Sequence, residues 1–207
     1  ATVSMLLTFL FARLLGPEVF GSYNYLLTLA ALYAILQDGG FRTLIFRELT
    51  SPTFHEIKRS LVPISIGHNI LVTITGILTL IILPLKDSFL LILAIFSFGL
   101  VTTTTFFSSQ LKGEGMFAAE ARWRVLTRTL GALSVLAFIF IFTPSIQIIL
   151  AGSIVGYGIA LFLLPVNCKL KVFFKKLNPV VYKSLGSLLI IDIATLIYFK
   201  IDIVMLR

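Results

Sequence analysis

Charged residues, cysteine and histidine are all scarce in this sequence. Only 13% of its 207 residues are charged and 58% are hydrophobic, with a mean hydropathy of +1.04. Soluble domains carry about 25% charged residues, so the composition argues against an ordinary soluble domain. The single cysteine, Cys168, excludes an intrachain disulfide. The two histidines lie far apart and no glycine-rich phosphate loop follows a strand, so the sequence offers no constellation typical of an enzyme.

The hydrophobic residues occur in long uncharged blocks. A helix needs about 20 such residues to cross the hydrocarbon core of a bilayer. Gly16 and Pro17 predict a turn between the first two blocks, because Gly breaks a helix and Pro suits its first position. The forty uncharged residues from Thr129 to Cys168 are too many for one helix. The sequence predicts an all-α integral membrane protein with about seven transmembrane helices, at residues 1–12 (a truncated first helix), 19–37, 61–83, 88–111, 129–142, 146–168 and 184–206.

Positive charge is concentrated in three stretches, each separated from the next by two of these blocks. Cytoplasmic loops keep Lys and Arg, whereas translocated loops lose them. The alternate connections hold Arg13, Lys86 or, at residues 143–145, no basic residue. The net charge of +8 therefore indicates membrane topology and not a nucleic-acid partner. The three stretches comprise Arg42, Arg47, Lys58 and Arg59; Lys112, Arg122, Arg124 and Arg128; and Lys169, Lys171, Lys175, Lys176 and Lys183.

Ionisable side chains within the membrane segments are the candidates for function, because charge in hydrocarbon is costly and faces a cavity or a partner. Asp192 lies eight residues past Ser184, about 12 Å along a helix. It is expected near mid-membrane, either as a structural hydrogen-bonding group or as a carboxylate that binds a cation or proton. Lys200 and Asp202 lie near the predicted outer end of the same helix, where they either serve the site or extend to the interface.

Charges near the ends of the first two helices form a second group of candidates. Asp38 and Arg42 are four residues apart and share a face if the helix continues through Gly39 and Gly40. They then form either a self-compensating pair at the membrane boundary or part of a translocation site. Arg13, at the outer end of the first helix, either extends to the interface or contacts an anionic substrate.

Three further patterns have structural interpretations. Glu120 and Arg124 are also four residues apart, and the spacing predicts a solvated, amphipathic start of the fifth helix. The run Thr102–Thr105 either packs through hydrogen bonds to neighbouring helices or lines a path for sugars. Gly152 and Gly156 permit the close approach of another helix and predict packing within the bundle.

Two segments carry a resemblance to a known family. Residues 11–21, Phe-Ala-Arg-Leu-Leu-Gly-Pro-Glu-Val-Phe-Gly, and residues 36–49, Leu-Gln-Asp-Gly-Gly-Phe-Arg-Thr-Leu-Ile-Phe-Arg-Glu-Leu, resemble the opening of Wzx-type polysaccharide-export flippases. These transporters belong to the MATE-like superfamily. Residues 113–117, Gly-Glu-Gly-Met-Phe, are similar to the loop after the family's fourth helix, and residues 201–206 resemble its seventh helix.

The resemblance implies a transporter and not an enzyme, built from two similar lobes around a central cavity. Residues 1–183 would form the six-helix first lobe and residues 184–207 the seventh helix, which starts a second lobe supplied by the rest of a longer chain. Such a protein moves a prenyl-phosphate-linked oligosaccharide across the plasma membrane by alternating access, without a cofactor, driven by a proton or sodium gradient. By position in the motifs, Arg13 would contact the anion, and Asp38, Asp192 and Asp202 would serve cation coupling or gating.

Two other functions stay open at this point. A multidrug or small-solute exporter of the same fold would also use an acidic residue such as Asp192 in an apolar lobe. An integral membrane glycan polymerase or ligase usually has one long extracytoplasmic loop, and the sequence contains no such loop.

Overall fold

The computed structural model describes residues 2–51, 60–83, 87–164, 172 and 179–205, and these residues form helices without a strand. The helices are α1 (Thr2–Asp38), α2 (Phe41–Thr50), α3 (Leu61–Ile82), α4 (Ser88–Gly113), α5 (Phe117–Ile141), α6 (Ile146–Phe162) and α7 (Pro179–Met205). Several positions named above lie outside the described residues, namely Lys58, Arg59, Lys86, Cys168, Lys169, Lys171, Lys175 and Lys176, as do the side chains of Lys200 and Asp202.

The helices have the length and composition of membrane spans. Among the described residues, four are long and apolar enough to cross a bilayer: α1 from Leu7 onward, α3, α4 and α5. Helix α6 is apolar but has only 17 residues. Large apolar side chains point outward, with Phe140 exposed to 85% and Ile82 to 74%. Outward-facing apolar side chains are what lipid contact requires, and the prediction of an all-α membrane protein is confirmed.

Helix α1 is broken at Gly16. This residue has φ 76° and ψ 165°, which is not a helical conformation, and a positive φ of this size favours glycine. The rings of Phe11 and Tyr23 lie 5.8 Å apart, whereas twelve residues of straight helix would rise about 18 Å. The chain therefore folds back at Gly16, with Pro17 beginning the second arm. This is the turn that the sequence predicts between its first two helices.

Two hydrophobic clusters divide the bundle along its length. One contains residues of α2, of the starts of α3, α5 and α7, and of the ends of α4 and α6. The other contains residues of both arms of α1, of the end of α3, the start of α4, the end of α5 and the start of α6. Successive helices from α3 to α6 therefore run in opposite directions. The first cluster lies at the helix ends from which the basic stretches extend in the sequence, and we call this end of the bundle the basic end.

Helices α5 and α6 pack backbone to backbone. A Cβ added at Gly156 would lie 2.8 Å from the Cα of Gly131, and one added at Gly152 would lie 2.8 Å from the Cα of Val135. Real Cβ atoms do not approach other atoms this closely, so both positions require glycine. The predicted role of these two glycines in packing within the bundle is confirmed.

The fifth helix begins before its uncharged block. It starts at Phe117, so it includes the arginines of the second basic stretch, which form the charged helix start that the spacing of Glu120 and Arg124 predicts. Trp123 is buried at 3% exposure and its Nε1–H donates to the carbonyl of Thr104 on α4 at 3.1 Å. This anchor packs the first turns of α5 against α4, and the helix therefore extends beyond its uncharged block.

Candidate functional site

A cavity of about 420 Å³ lies between α1, α2, α4 and α7. Its wall combines small and aromatic apolar side chains with three hydroxyls, two carboxylates and one guanidinium. The size falls within the range of about 300–1,000 Å³ typical of ligand sites. The cavity is lined by Ala31, Ala34, Ile35, Asp38, Arg42, Phe98, Val101, Thr102, Thr105, Asp192 and Thr195.

A two-glycine junction positions the first two charges. Helix α1 ends at Asp38, and Gly39 and Gly40 follow with φ of 57° and 78°, a left-handed conformation that ends the helix. The backbone N–H of Arg42, in the first turn of α2, donates to Asp38 Oδ1 at 3.3 Å. Asp38 thus supplies an acceptor to one of the N–H groups that the start of a helix leaves unpaired. The expectation that Asp38 and Arg42 share one helical face is wrong, yet both side chains line the same cavity.

The second oxygen of Asp38 has no such contact. Oδ2 is buried and finds no hydrogen-bond donor among the described residues, and the same holds for Oε1 of the neighbouring Gln37. A buried polar atom without a partner costs about 1–3 kcal/mol, and more when it is charged. Asp38 therefore presents an unsatisfied acceptor at the cavity, suited to a proton or a cation.

Arg42 reaches across to α7. Its Nη2 lies 3.8 Å from Asp192 Oδ1, and the two side chains are 53% and 25% exposed. At this distance the pair is an electrostatic contact and not a hydrogen bond. The guanidinium thus forms its ion pair with Asp192, whereas Asp38 accepts from the backbone N–H of Arg42.

Helix α7 is held against the glycine junction. A Cβ added at Gly40 would lie 3.1 Å from the carbonyl oxygen of Leu185, so the two backbones are in close contact. About two turns further along α2, Arg47 Nη2 donates to Ser184 Oγ at 3.0 Å. These contacts fix the start of α7 and so determine where Asp192 stands relative to Arg42.

The threonine run of α4 contributes both to helix packing and to the cavity wall. Thr102 and Thr105 line the cavity, whereas Thr103 and Thr104 are buried and do not line it. Thr103 Oγ1 accepts from Asn69 Nδ2 at 2.8 Å. Four consecutive helical positions point in four directions, which is why a single run of threonines both packs and lines a cavity.

A network of buried hydrogen bonds next to the cavity connects α1, α3 and α4. Gln37 Nε2 donates to Thr73 Oγ1 and to the carbonyl of Ile95, both at 2.9 Å. Asn69 Nδ2 also donates to the carbonyl of Gly99 at 2.7 Å. A Cβ at Gly99 would lie 2.9 Å from Thr73 Oγ1, so glycine is needed for this approach. Hydrogen bonds of this kind hold membrane helices together where apolar contacts cannot distinguish helix from lipid.

The match to a known protein family covers the whole length of the chain. Residues 1–207 match the family described as polysaccharide biosynthesis protein, which is the family of Wzx-type polysaccharide flippases. The chain belongs to this family. No curated protein and no solved structure matches it significantly. Family membership and the apolar helices together give this polysaccharide biosynthesis protein a polysaccharide-related function in a membrane.

Three of the six residues that the sequence singles out meet at one place in this polysaccharide biosynthesis protein. Asp38, Arg42 and Asp192 line the cavity, whereas Arg13 is exposed on the first arm of α1 and is not among the lining residues. The side chains of Lys200 and Asp202 lie outside the described residues.

Sequence reasoning missed two polar side chains of this region. Thr195 lines the cavity one helical turn after Asp192, and its i, i+3 spacing was a signal available in the sequence. Gln37 is fully buried at the end of α1, where it counted only as one uncharged residue of a membrane span. Nothing local in the sequence distinguishes a buried glutamine from an interfacial one.

A second carboxylate cluster lies at the basic end, away from the cavity. Glu120 is 7% exposed, and its Oε1 accepts from Ser108 Oγ at 2.6 Å. The same oxygen lies 3.7 Å from Lys112 Nζ and also pairs with Arg124. The prediction that this segment is solvated is wrong for Glu120, because α4 covers it and supplies Ser108 and Lys112 as partners.

Proposed function

We propose that this protein moves a prenyl-phosphate-linked oligosaccharide from the cytoplasmic to the outer leaflet of the plasma membrane by alternating access. The observation that carries the proposal is the charged cavity of Asp38, Arg42 and Asp192 in a polysaccharide biosynthesis family protein. Unpaired polar groups cost several kcal/mol each in hydrocarbon, so a sugar needs a polar route. A cavity with hydroxyls removes that cost while the prenyl tail stays in lipid.

The charges of the cavity suit coupling to an ion gradient better than binding of the diphosphate. Two carboxylates and one guanidinium give this wall a formal charge of −1, which favours a proton or sodium ion over an anion. We assign the coupling role to Asp38 and Asp192. Protonation of Asp192 would neutralise its pairing with Arg42 and weaken the contact between α2 and α7, whose separation would open the cavity to the other side.

The lipid phosphate would be bound elsewhere in the two-lobe protein. In this proposal residues 1–183 form the first lobe, and α7 is the first helix of the second lobe. The contacts of α7 with Gly40 and Arg47 then lie where the two lobes meet. Rocking of one lobe against the other would make and break these contacts once in each transport cycle.

A second candidate function is export of cationic drugs or small solutes. The same negative wall contains apolar side chains, among them Ala34, Ile35 and Phe98, and this combination suits an amphipathic cation. Transport of the drug against protons would use the same two carboxylates. The two functions differ in cargo, so a measurement of cargo separates them.

The test is depletion of the full-length protein in its host, followed by mass spectrometry of prenyl-linked saccharides in the membrane. The flippase proposal expects a complete repeat unit to accumulate on its lipid carrier and the surface polymer to be lost. Re-expression of the wild type should reverse both changes. Unchanged lipid-linked saccharides would contradict the proposal, and increased drug susceptibility in the same cells would favour the exporter.

A further inference from the structure

A groove of about 500 Å³ runs along one side of α5, away from the cavity described above. Its lining residues belong to two neighbouring rows of this helix, with spacings of i, i+4 and i+8 in each row. They span nine residue steps, about 13 Å along the helix axis. Because α5 crosses the membrane, the groove follows the direction of a lipid chain. It is lined by Ala121, Arg122, Val125, Leu126, Thr129 and Leu130.

Among the described residues that line this groove, charge occurs at only one end. Arg122 lies at the basic end, and the other described lining residues are apolar apart from the hydroxyl of Thr129. The Nε–H of Arg122 donates to the carbonyl of Ala118 at 3.3 Å, which turns the side chain toward the start of the helix. A single cation above an apolar channel is the arrangement that complements an anionic headgroup with a hydrocarbon tail.

No carboxylate of the described residues forms an ion pair with Arg122. The ion pairs found among the described residues use Lys112 and Arg124 for Glu120 and do not include Arg122. Its Nη nitrogens are therefore free to donate two parallel hydrogen bonds to one phosphate. Large apolar side chains beside it are open to lipid, with Val125 exposed to 65% and Phe117 to 66%.

We propose that this groove binds an anionic glycerophospholipid of the cytoplasmic leaflet. The phosphate contacts the guanidinium of Arg122, and one acyl chain lies along Val125, Thr129 and Leu130. The positive-inside rule places the basic end in the cytoplasm, whose leaflet is rich in anionic lipids. Basic pockets at this depth attract such headgroups.

The location of the groove favours a resident bilayer lipid over the transported prenyl phosphate. None of its lining residues lines the cavity between α1, α2, α4 and α7. The start of α5 is fixed to α4 by Glu120 with Ser108 and by Trp123 with Thr104. A lipid on this fixed helix would brace the basic end of the bundle and would not travel with the cargo.

The test uses full-length protein that has been delipidated in detergent. Dioleoylphosphatidylglycerol and dioleoylphosphatidylcholine are titrated, and bound lipid is counted by native mass spectrometry. Arg122→Gln should weaken binding of phosphatidylglycerol by about tenfold, or about 1.4 kcal/mol. The matched control is Arg128→Gln, because Arg128 is exposed on the same helix and does not line the groove. It should change the affinity by less than about threefold.

A second variant tests the acyl-chain half of the groove. Thr129→Trp fills the channel without changing charge and should lower binding of phosphatidylglycerol even though Arg122 is intact. Equal binding of both lipids, or equal effects of the two arginine variants, would overturn the proposal. Arg122-dependent displacement of phosphatidylglycerol by a polyprenyl phosphate would assign the groove to the cargo and also overturn it. The assay counts bound lipid and not transport, so its outcome is independent of the proposed function.

Discussion

Two carboxylate clusters of this molecule have the same sequence pattern and opposite surroundings. Asp38 with Arg42 and Glu120 with Arg124 are both acid–base pairs with i, i+4 spacing. Glu120 lies in a continuous helix, and three side chains donate to one of its oxygens or pair with it. Asp38 lies before a break of two glycines and keeps one buried oxygen without a donor.

The difference separates a charge with a structural role from a charge at the candidate site. At Glu120 three side chains, those of Ser108, Lys112 and Arg124, contact one carboxylate, and α4 covers it. At the cavity two carboxylates share one guanidinium, and the ion pair of Arg42 with Asp192 is long at 3.8 Å. Unused acceptor capacity facing a cavity, and not the presence of charge, therefore distinguishes the candidate site.

The largest effect on function is expected from Asp192→Ala. Loss of this carboxylate removes the partner of Arg42 on α7, and transport of the repeat unit should be abolished. The variant should still insert in the membrane, because a small neutral residue is easier to bury than a charge. Accumulation of lipid-linked repeat units in complemented cells measures transport, and Glu114→Ala, at the exposed end of α4, is the charge-removing control. Normal transport by Asp192→Ala would contradict a coupling role.

Gly40→Ala should push α7, which carries Asp192, away from α2, which carries Arg42. The new Cβ is strained at φ 78° and lies 2.9 Å from Leu188 Cβ, so α7 must shift. We expect a loss of about 2–4 kcal/mol of stability together with reduced transport.

Gly115→Ala provides the matched control for this variant. Gly115 has a similar φ of 75°, but nothing lies within 4 Å of its added Cβ. It should therefore show the backbone strain alone, about 1–2 kcal/mol, and normal transport. Thermal unfolding in detergent compares the two variants, and equal losses would mean that the contact with α7 is unimportant.

Glu120→Gln should lower stability and leave transport unchanged, the reverse of the effects expected for Asp192→Ala. It removes the charge that Lys112 and Arg124 share, and the free energy of unfolding should fall by about 1–3 kcal/mol. Transport per folded molecule should be unchanged, because Glu120 does not line the cavity. Melting temperature and transport are measured on the same preparations. Loss of transport without a loss of stability would contradict a structural role for Glu120.

The smallest effect is expected from Thr105→Val, which keeps the shape of the side chain and removes one hydroxyl from the cavity wall. We expect transport to fall about two- to threefold, in line with the loss of one neutral hydrogen-bonding group. Thr104→Val is the control, since the two hydroxyls both donate within α4, to the carbonyls of Val101 and Thr102, but only Thr105 lines the cavity. Equal transport rates for the two variants would show that the hydroxyls of the wall are not used.

Much of the fold follows from the sequence because lipid imposes simple rules. Long uncharged blocks predict the helices, basic stretches predict which ends lie together, and Gly16 with Pro17 predicts the turn within α1. The division into a first lobe at residues 1–183 and a seventh helix stays a prediction. The candidate site was harder, since Asp192 was selected as a charge in a membrane segment and Asp38 with Arg42 as a pair near a helix end, and no sequence pattern placed all three in one cavity.

What the sequence could not supply is the outcome of three-dimensional contacts. The pairing of Arg42 with Asp192 joins residues 150 positions apart, and no local pattern encodes it. The burial of Glu120 depends on Ser108 and Lys112 of another helix. Whether Gly39 and Gly40 end the helix or continue it depends on the packing of His68 of α3 against Gly39 and of α7 against Gly40.

The close packing of α5 and α6 has a consequence for how the protein is made. Only residues 142–145 connect the two helices, and Gly131 meets Gly156 after a short stretch of chain. Contacts between neighbours in sequence form early, because little chain entropy is lost in closing the loop. This hairpin can therefore assemble during synthesis as soon as α6 has left the ribosome. The two helices can then be packed together before the helix that carries Asp192 has left the ribosome.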